Sequence, residues 1–219
     1  MFTMLIGEVD NVPGTAGAQD HKISTRFFSL VGPLIPFQSM CVTYEHFESH
    51  GRSSTHSYSG EQVKLNLISV LLGYLRVWLA FAIFALPFVL YWGKSVESYM
   101  FIPSGYALVA LIAVLVLPSL LTRTRRKKLT VLRRVAGLGC DPKLRYDFNR
   151  DETRDGLMVK LGESGMPTNA QVAMDRVTSM NQGELELTFA AAWYQRASGA
   201  KDWAPVMDAA WSKLSATAA

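Results

Sequence analysis

The chain has 219 residues, of which 49% are hydrophobic and only 18% charged, with a formal net charge of +4. That balance is unusually apolar for a soluble protein and points to a membrane rather than to an outsized core. Two cysteines, Cys41 and Cys140, are too few for a disulfide framework and read as reduced thiols.

The N-terminal residues lack a basic leader region, and Glu8 and Asp10 follow a short apolar run, so they do not read as a cleaved signal peptide. Residues 1–66 are rich in Val, Ile, Phe, Tyr and Thr with Gly, Pro and Ser punctuation, which predicts a small β unit. Within it Ile23 to Val31 and Phe37 to Phe47 read as strands, joined through Pro33 and Pro36. The uncharged run Phe27 to Phe37 is too short to span a bilayer, so a buried strand pair is the first reading and a membrane-surface segment the second. Glu48 to Glu61, rich in Ser, Gly and His, is expected as an exposed loop.

Residues 67–121 read as a transmembrane helical hairpin with spans near 70–92 and 99–121. Glu97 and Arg123 enclose 25 uncharged residues, and Arg76 and Lys94 enclose 17. At about 1.5 Å per residue the shorter run covers about 26 Å of a roughly 30 Å hydrocarbon core. Arg76 is therefore expected at an interface, with Trp78, Tyr91 and Trp92 as an aromatic belt. Five basic residues follow the second span: Arg123, Arg125, Arg126, Lys127 and Lys128. The positive-inside rule then predicts a multi-pass protein of a prokaryotic cytoplasmic (inner) membrane with both termini cytoplasmic.

Residues 122–219 carry sixteen Lys and Arg against eleven Asp and Glu and read as a polybasic segment followed by a cytoplasmic bundle of four or five short helices. Helical segments are expected at Leu129 to Leu138, Thr153 to Glu163, from Pro167 onward, Glu184 to Ala197 and Trp203 to Leu214. Gly139, Gly165 and Gly199 serve as stops. Ala191-Ala192-Trp193 and Ala209-Ala210-Trp211 recur 18 residues apart, which suggests a helical hairpin.

Four constellations carry possible chemistry. Cys41, His46, Glu48, His50 and His56 offer zinc-type ligands, but residues 40–47 look like a strand, and no HExxH or CxxC spacing is present. Asp147, Asn149, Asp151, Thr153 and Asp155 mimic a calcium loop, yet Glu152 and Met158 occupy the positions that need Gly and a bidentate Glu. No nucleophile elbow surrounds either cysteine, and Gly137 and Gly139 form no nucleotide-binding fingerprint. The polybasic run reads as contact with lipid headgroups by Arg76, Arg123, Arg125, Arg126, Lys127 and Lys128, with nucleic-acid binding disfavoured.

The sequence thus predicts an α+β membrane protein: an N-terminal β unit, a two-helix transmembrane hairpin and a C-terminal helical bundle. Its expected role is a non-enzymatic scaffold or accessory subunit with no cofactor. Its expected partners are a bilayer with anionic headgroups and a membrane protein or further copies of itself. The alternatives are a metal or redox enzyme built on Cys41, His46, His50 and His56, and a small oligomeric channel or transporter subunit.

Overall fold

The computed structural model describes residues 2–14, 19–29, 33–50, 53–92 and 102–217. They form two compact units, one of residues 1–11 and 22–124 and the other of residues 12–21 and 125–219.

In the first unit, strands β1 (Phe2–Val12), β2 (His21–Ser29), β3 (Pro33–His50) and β4 (Ser53–Val63) make one sheet in the order β1-β2-β3-β4. The β2–β3 and β3–β4 pairs are antiparallel. Ile23, Thr25 and Phe27 are fully buried at alternate positions of β2, as one face of a strand would be, and Ser24 between them is buried as well. Pro33 opens β3 and Pro36 stands opposite Phe27 at a register shift, both places where a missing ladder donor is tolerated. The expected loop at Glu48 to Glu61 is instead the end of β3 and most of β4, with His46 facing Ser57 and Tyr44 facing Ser59. Pairing there is made by main-chain groups, which a polar outer face does not oppose.

Helix α1 (Leu67–Trp92) begins at Asn66, whose side-chain oxygen accepts from the N–H groups of Ile68 at 3.0 Å and Ser69 at 3.1 Å. Its first turns are fastened to the sheet by a buried relay of hydroxyls. Asn66 N–H donates to Ser39 Oγ at 3.0 Å, and Ser39 and Thr25 share a hydrogen bond of 2.8 Å. Thr25 donates to Ser69 at 2.8 Å, and Ser69 donates to the Gly7 carbonyl at 2.5 Å. With Thr25 donating onward, Ser39 supplies the proton in the shared bond, so each hydroxyl donates once and accepts once. Gly7 has φ +78°, and a Cβ there would lie 1.9 Å from the Ser69 carbonyl oxygen, which is why the approach needs glycine. Helix α2 (Ile102–Leu121) packs beside α1.

Among the described residues, no helix is long and apolar enough to cross a membrane. This overturns the two-span transmembrane hairpin, and with it the α+β membrane class, the membrane-centred description and the multi-pass inner-membrane placement with both termini cytoplasmic. The physical reason in α1 is that its apolar run serves two ends. Ser69, Leu72 and Gly73 are buried, Phe27 meets Tyr74 edge-on at 5.2 Å, and Arg76 reaches the Glu8 carbonyl at 3.3 Å. The α+β character remains, as a four-stranded antiparallel sheet and seven α-helices among the described residues.

The second unit contains α3 (Arg123–Ala136, from Arg125 onward), a 3-10 turn at Pro142–Leu144, α4 (Asp147–Glu163), α5 (Ala170–Arg176), α6 (Gln182–Ala197) and α7 (Trp203–Thr217). Its core joins Leu129 and Leu132 of α3, Leu157 and Leu161 of α4, Phe189 of α6 and Val206 of α7. Gly137, Gly165 and Gly199, all with positive φ, follow α3, α4 and α6, where the left-handed turn that ends a helix favours glycine. Phe189 lies between Trp193 at 5.4 Å and Trp211 at 5.3 Å, so the two Ala-Ala-Trp segments meet across α6 and α7. The connection between β1 and β2 also belongs to this unit: Val12 enters its core, and Arg133 donates to the carbonyls of Val12, at 2.9 Å, and Gln19.

Candidate functional site

The basic residues of α3 that were expected at lipid headgroups have distinct surroundings. Arg125 pairs with Asp141 at 3.2 Å, and Lys128 stands over the Trp211 ring at 5.3 Å. Arg126 is half-buried, while Arg123 and Lys127 are exposed. Arg76, in the first unit, is also half-buried; desolvation lowers its pKa and the charge of Glu8 opposes that shift. Amphipathic placement explains the division, because Leu129 and Leu132 turn one face of α3 into the core and draw the adjoining stems inward.

A groove of about 320 Å³ opens between α3, α6 and α7. Lys127, Val131 and Arg134 come from α3, Glu186 from α6, and Trp211 and Leu214 from α7. Arg134 donates through Nη1 to Glu186 Oε1 at 2.6 Å, and Gln182 Nε2 donates to the same oxygen at 3.2 Å. The two partners differ in exposure: the Arg134 side chain is 52% accessible and that of Glu186 only 9%. A nearly buried carboxylate therefore forms the floor while its guanidinium reaches the rim. Sequence reading named Lys127 but missed Arg134 and Glu186 as a pair, since 52 residues separate them and only the α3–α6 packing brings them together.

The first unit presents an apolar surface. Leu71 and Trp78 of α1 and Val109, Ile112 and Leu115 of α2 are all about half or more exposed, with Val109 at 66%. On the sheet, Lys22 lies between Glu8 at 2.7 Å and Glu45 at 2.8 Å. Burial pulls the Lys22 pKa down, but the hydrogen bonds to Glu45 and Glu8 outweigh it and leave the pKa raised.

The Cys and His region does not assemble among the described side chains. Cys41 is fully buried in β3, whereas His46 is exposed and stacks near Tyr44 at 6.1 Å. The side chains of His50 and His56 lie outside the described residues, although their backbones pair with Ser53 and Phe47. No group of three or more His, Cys, Asp or Glu among the described residues could hold a metal ion. Asp147, Asp151 and Asp155 are part of α4 and not of a loop, and they pair with Arg150 and Arg154 at 2.8 to 3.3 Å. Arg145 is buried, donating to Tyr194 and Thr153 at 2.7 Å each, which joins the 3-10 turn to α4 and α6.

What the arrangement offers is recognition: an apolar helix-pair surface in one unit and an ion-paired groove with an aromatic wall in the other. No family model, no curated protein and no solved structure matches this chain.

Proposed function

We propose that the protein is a non-enzymatic scaffold or accessory subunit that joins a larger protein assembly through the apolar surface of α1 and α2. The observation that carries this reading is the exposure of large apolar side chains on both packed helices, including Leu71 at 58%, Val109 at 66% and Ile112 at 52%. Single exposed apolar residues are ordinary, but extended apolar faces on a folded unit mark surfaces that are covered in the working state. A protein face of matching apolar character is the partner, either a different subunit or a second copy of this chain.

The test is native isolation of the tagged chain, followed by light-scattering mass and mass spectrometry of co-purifying chains. The expected result is a defined complex or homo-oligomer that the double substitution Leu71→Glu and Val109→Glu dissociates, with the circular dichroism spectrum retained. A wild-type chain that remains a monomer in extract and at micromolar concentration when pure overturns the proposal.

A further inference from the structure

The groove between α3, α6 and α7 has a charge pattern that the scaffold reading does not use. Arg134 and Glu186, 2.6 Å apart, form a fixed dipole with its positive end at the rim. Both hydrogen bonds to Glu186 end on Oε1, so Oε2 has no partner among the described residues. Arg134 likewise has Nη2 and Nε without partners among the described residues, and Lys127 beside it is exposed with no carboxylate partner there. The lining also has an apolar part, with Val131 on α3 and Trp211 and Leu214 on α7.

We propose that this groove binds a free α-amino acid with a large apolar side chain. A zwitterion laid antiparallel over the Arg134–Glu186 dipole satisfies both ends: its carboxylate accepts from the remaining Arg134 N–H groups and Lys127, and its ammonium donates to Glu186 Oε2. The side chain lies along Trp211 and Leu214, where apolar contact adds affinity without directional demand. The volume of about 320 Å³ lies at the small end of ligand pockets and suits a single amino acid. A simple anion leaves the nearly buried Glu186 oxygen unanswered, and a simple amine meets the charges of Lys127 and Arg134 unshielded. Only a head group with both charges complements the floor and the rim together.

Isothermal titration of the full chain tests this with L-phenylalanine and L-leucine, set against 3-phenylpropionate, which lacks the ammonium, and phenethylamine, which lacks the carboxylate. Binding of the amino acids with each truncated analogue about tenfold or more weaker is expected, one charge-assisted contact having been lost. Lys127→Gln touches an exposed side chain and should weaken phenylalanine binding about tenfold with an unchanged melting temperature. Ser215→Trp, on the groove margin, should abolish binding. The proposal is overturned if no amino acid binds at millimolar concentration, if 3-phenylpropionate or phenethylamine binds as well as phenylalanine, or if Ser215→Trp leaves binding intact. The outcome does not depend on the mass of the assembly, so this inference and the scaffold reading fail separately.

Discussion

At the scale of single residues, His21 shows how one side chain couples folding to pH. It is 7% exposed, and its Nδ1 accepts the Gly139 N–H at 3.2 Å, a role that requires that nitrogen to be unprotonated. Desolvation holds its pKa below 6.5, the positive charge of Arg133 pushes the same way, and Asp20 opposes them. The folded state thus binds the proton less readily than the unfolded chain. Stability from this group is fully present above about pH 6.5 and falls as the pH drops through 6.5 toward the lowered folded value. Urea midpoints measured between about pH 7 and pH 5 should therefore decline more steeply in the wild type than in His21→Gln, whose amide does not titrate. Equal slopes in the two proteins would show that His21 carries no linkage. The sequence displayed His21 only as one of four N-terminal histidines; its partner lies 118 residues away, and no local spacing announces it.

Elements were the best-read scale, because capping and periodicity are local. In the C-terminal half, the expected segments at 129–138, 153–163, 184–197 and 203–214 correspond to α3 (Arg123–Ala136), α4 (Asp147–Glu163), α6 (Gln182–Ala197) and α7 (Trp203–Thr217). The starts were the less accurate ends. Arg123 to Lys128 reads as charge without apolar period, and the Asp-rich opening of α4 reads as a solvated helix entry, whereas it is already helical from Asp147, with its carboxylates paired to Arg150 and Arg154. Helix α6 starts on a reciprocal cap: Asn181 accepts from Glu184 N–H at 3.0 Å, and Glu184 accepts from Asn181 N–H at 2.8 Å. Asn181→Ala removes one half of that exchange and should cost about 1 kcal/mol, read as a lower urea midpoint at an unchanged m-value. An undisturbed midpoint would mean that the first turn of α6 is held by its packing alone. Strand β4 was missed for the opposite reason, since its Ser, Gly and His side chains carry no apolar alternation and only the main chain of β3 defines it.

For the molecule as a whole, the apolar residues are divided between interior and surface differently in the two units. The helical unit gathers a core around Phe189, which is fully buried between Trp193 and Trp211, and leaves Phe148 at 79% and Val159 at 59% exposed. Phe189→Ala should destabilise that unit by about 3 to 5 kcal/mol, measured by denaturant unfolding followed through tryptophan fluorescence. A loss below about 1 kcal/mol would show that the tryptophans collapse into the vacated space. In the other unit large apolar residues of α1 and α2, among the described ones Leu71, Val109 and Ile112, remain exposed, and that surplus is the physical basis of the proposed partner.

By itself the sequence determined the succession of a β-rich first part and a helical last part. It also anticipated the stops at Gly165 and Gly199, both with positive φ, whereas α3 ends at Ala136 before the positive-φ Gly137 and not at the expected Gly139. These are consequences of composition, period and backbone geometry, each acting within a few residues. Tertiary structure alone decided that the first turns of α1 belong to a sheet through the relay of Ser39, Thr25 and Ser69, which corrected the transmembrane reading together with the absence, among the described residues, of a helix able to cross a membrane. It alone decided which members of the polybasic run are ion-paired, and that Arg134 meets Glu186 under the wall of Trp211. Charge and hydropathy can be counted along a chain, but the partner that neutralises a charge or covers an apolar face is chosen by packing across dozens of residues.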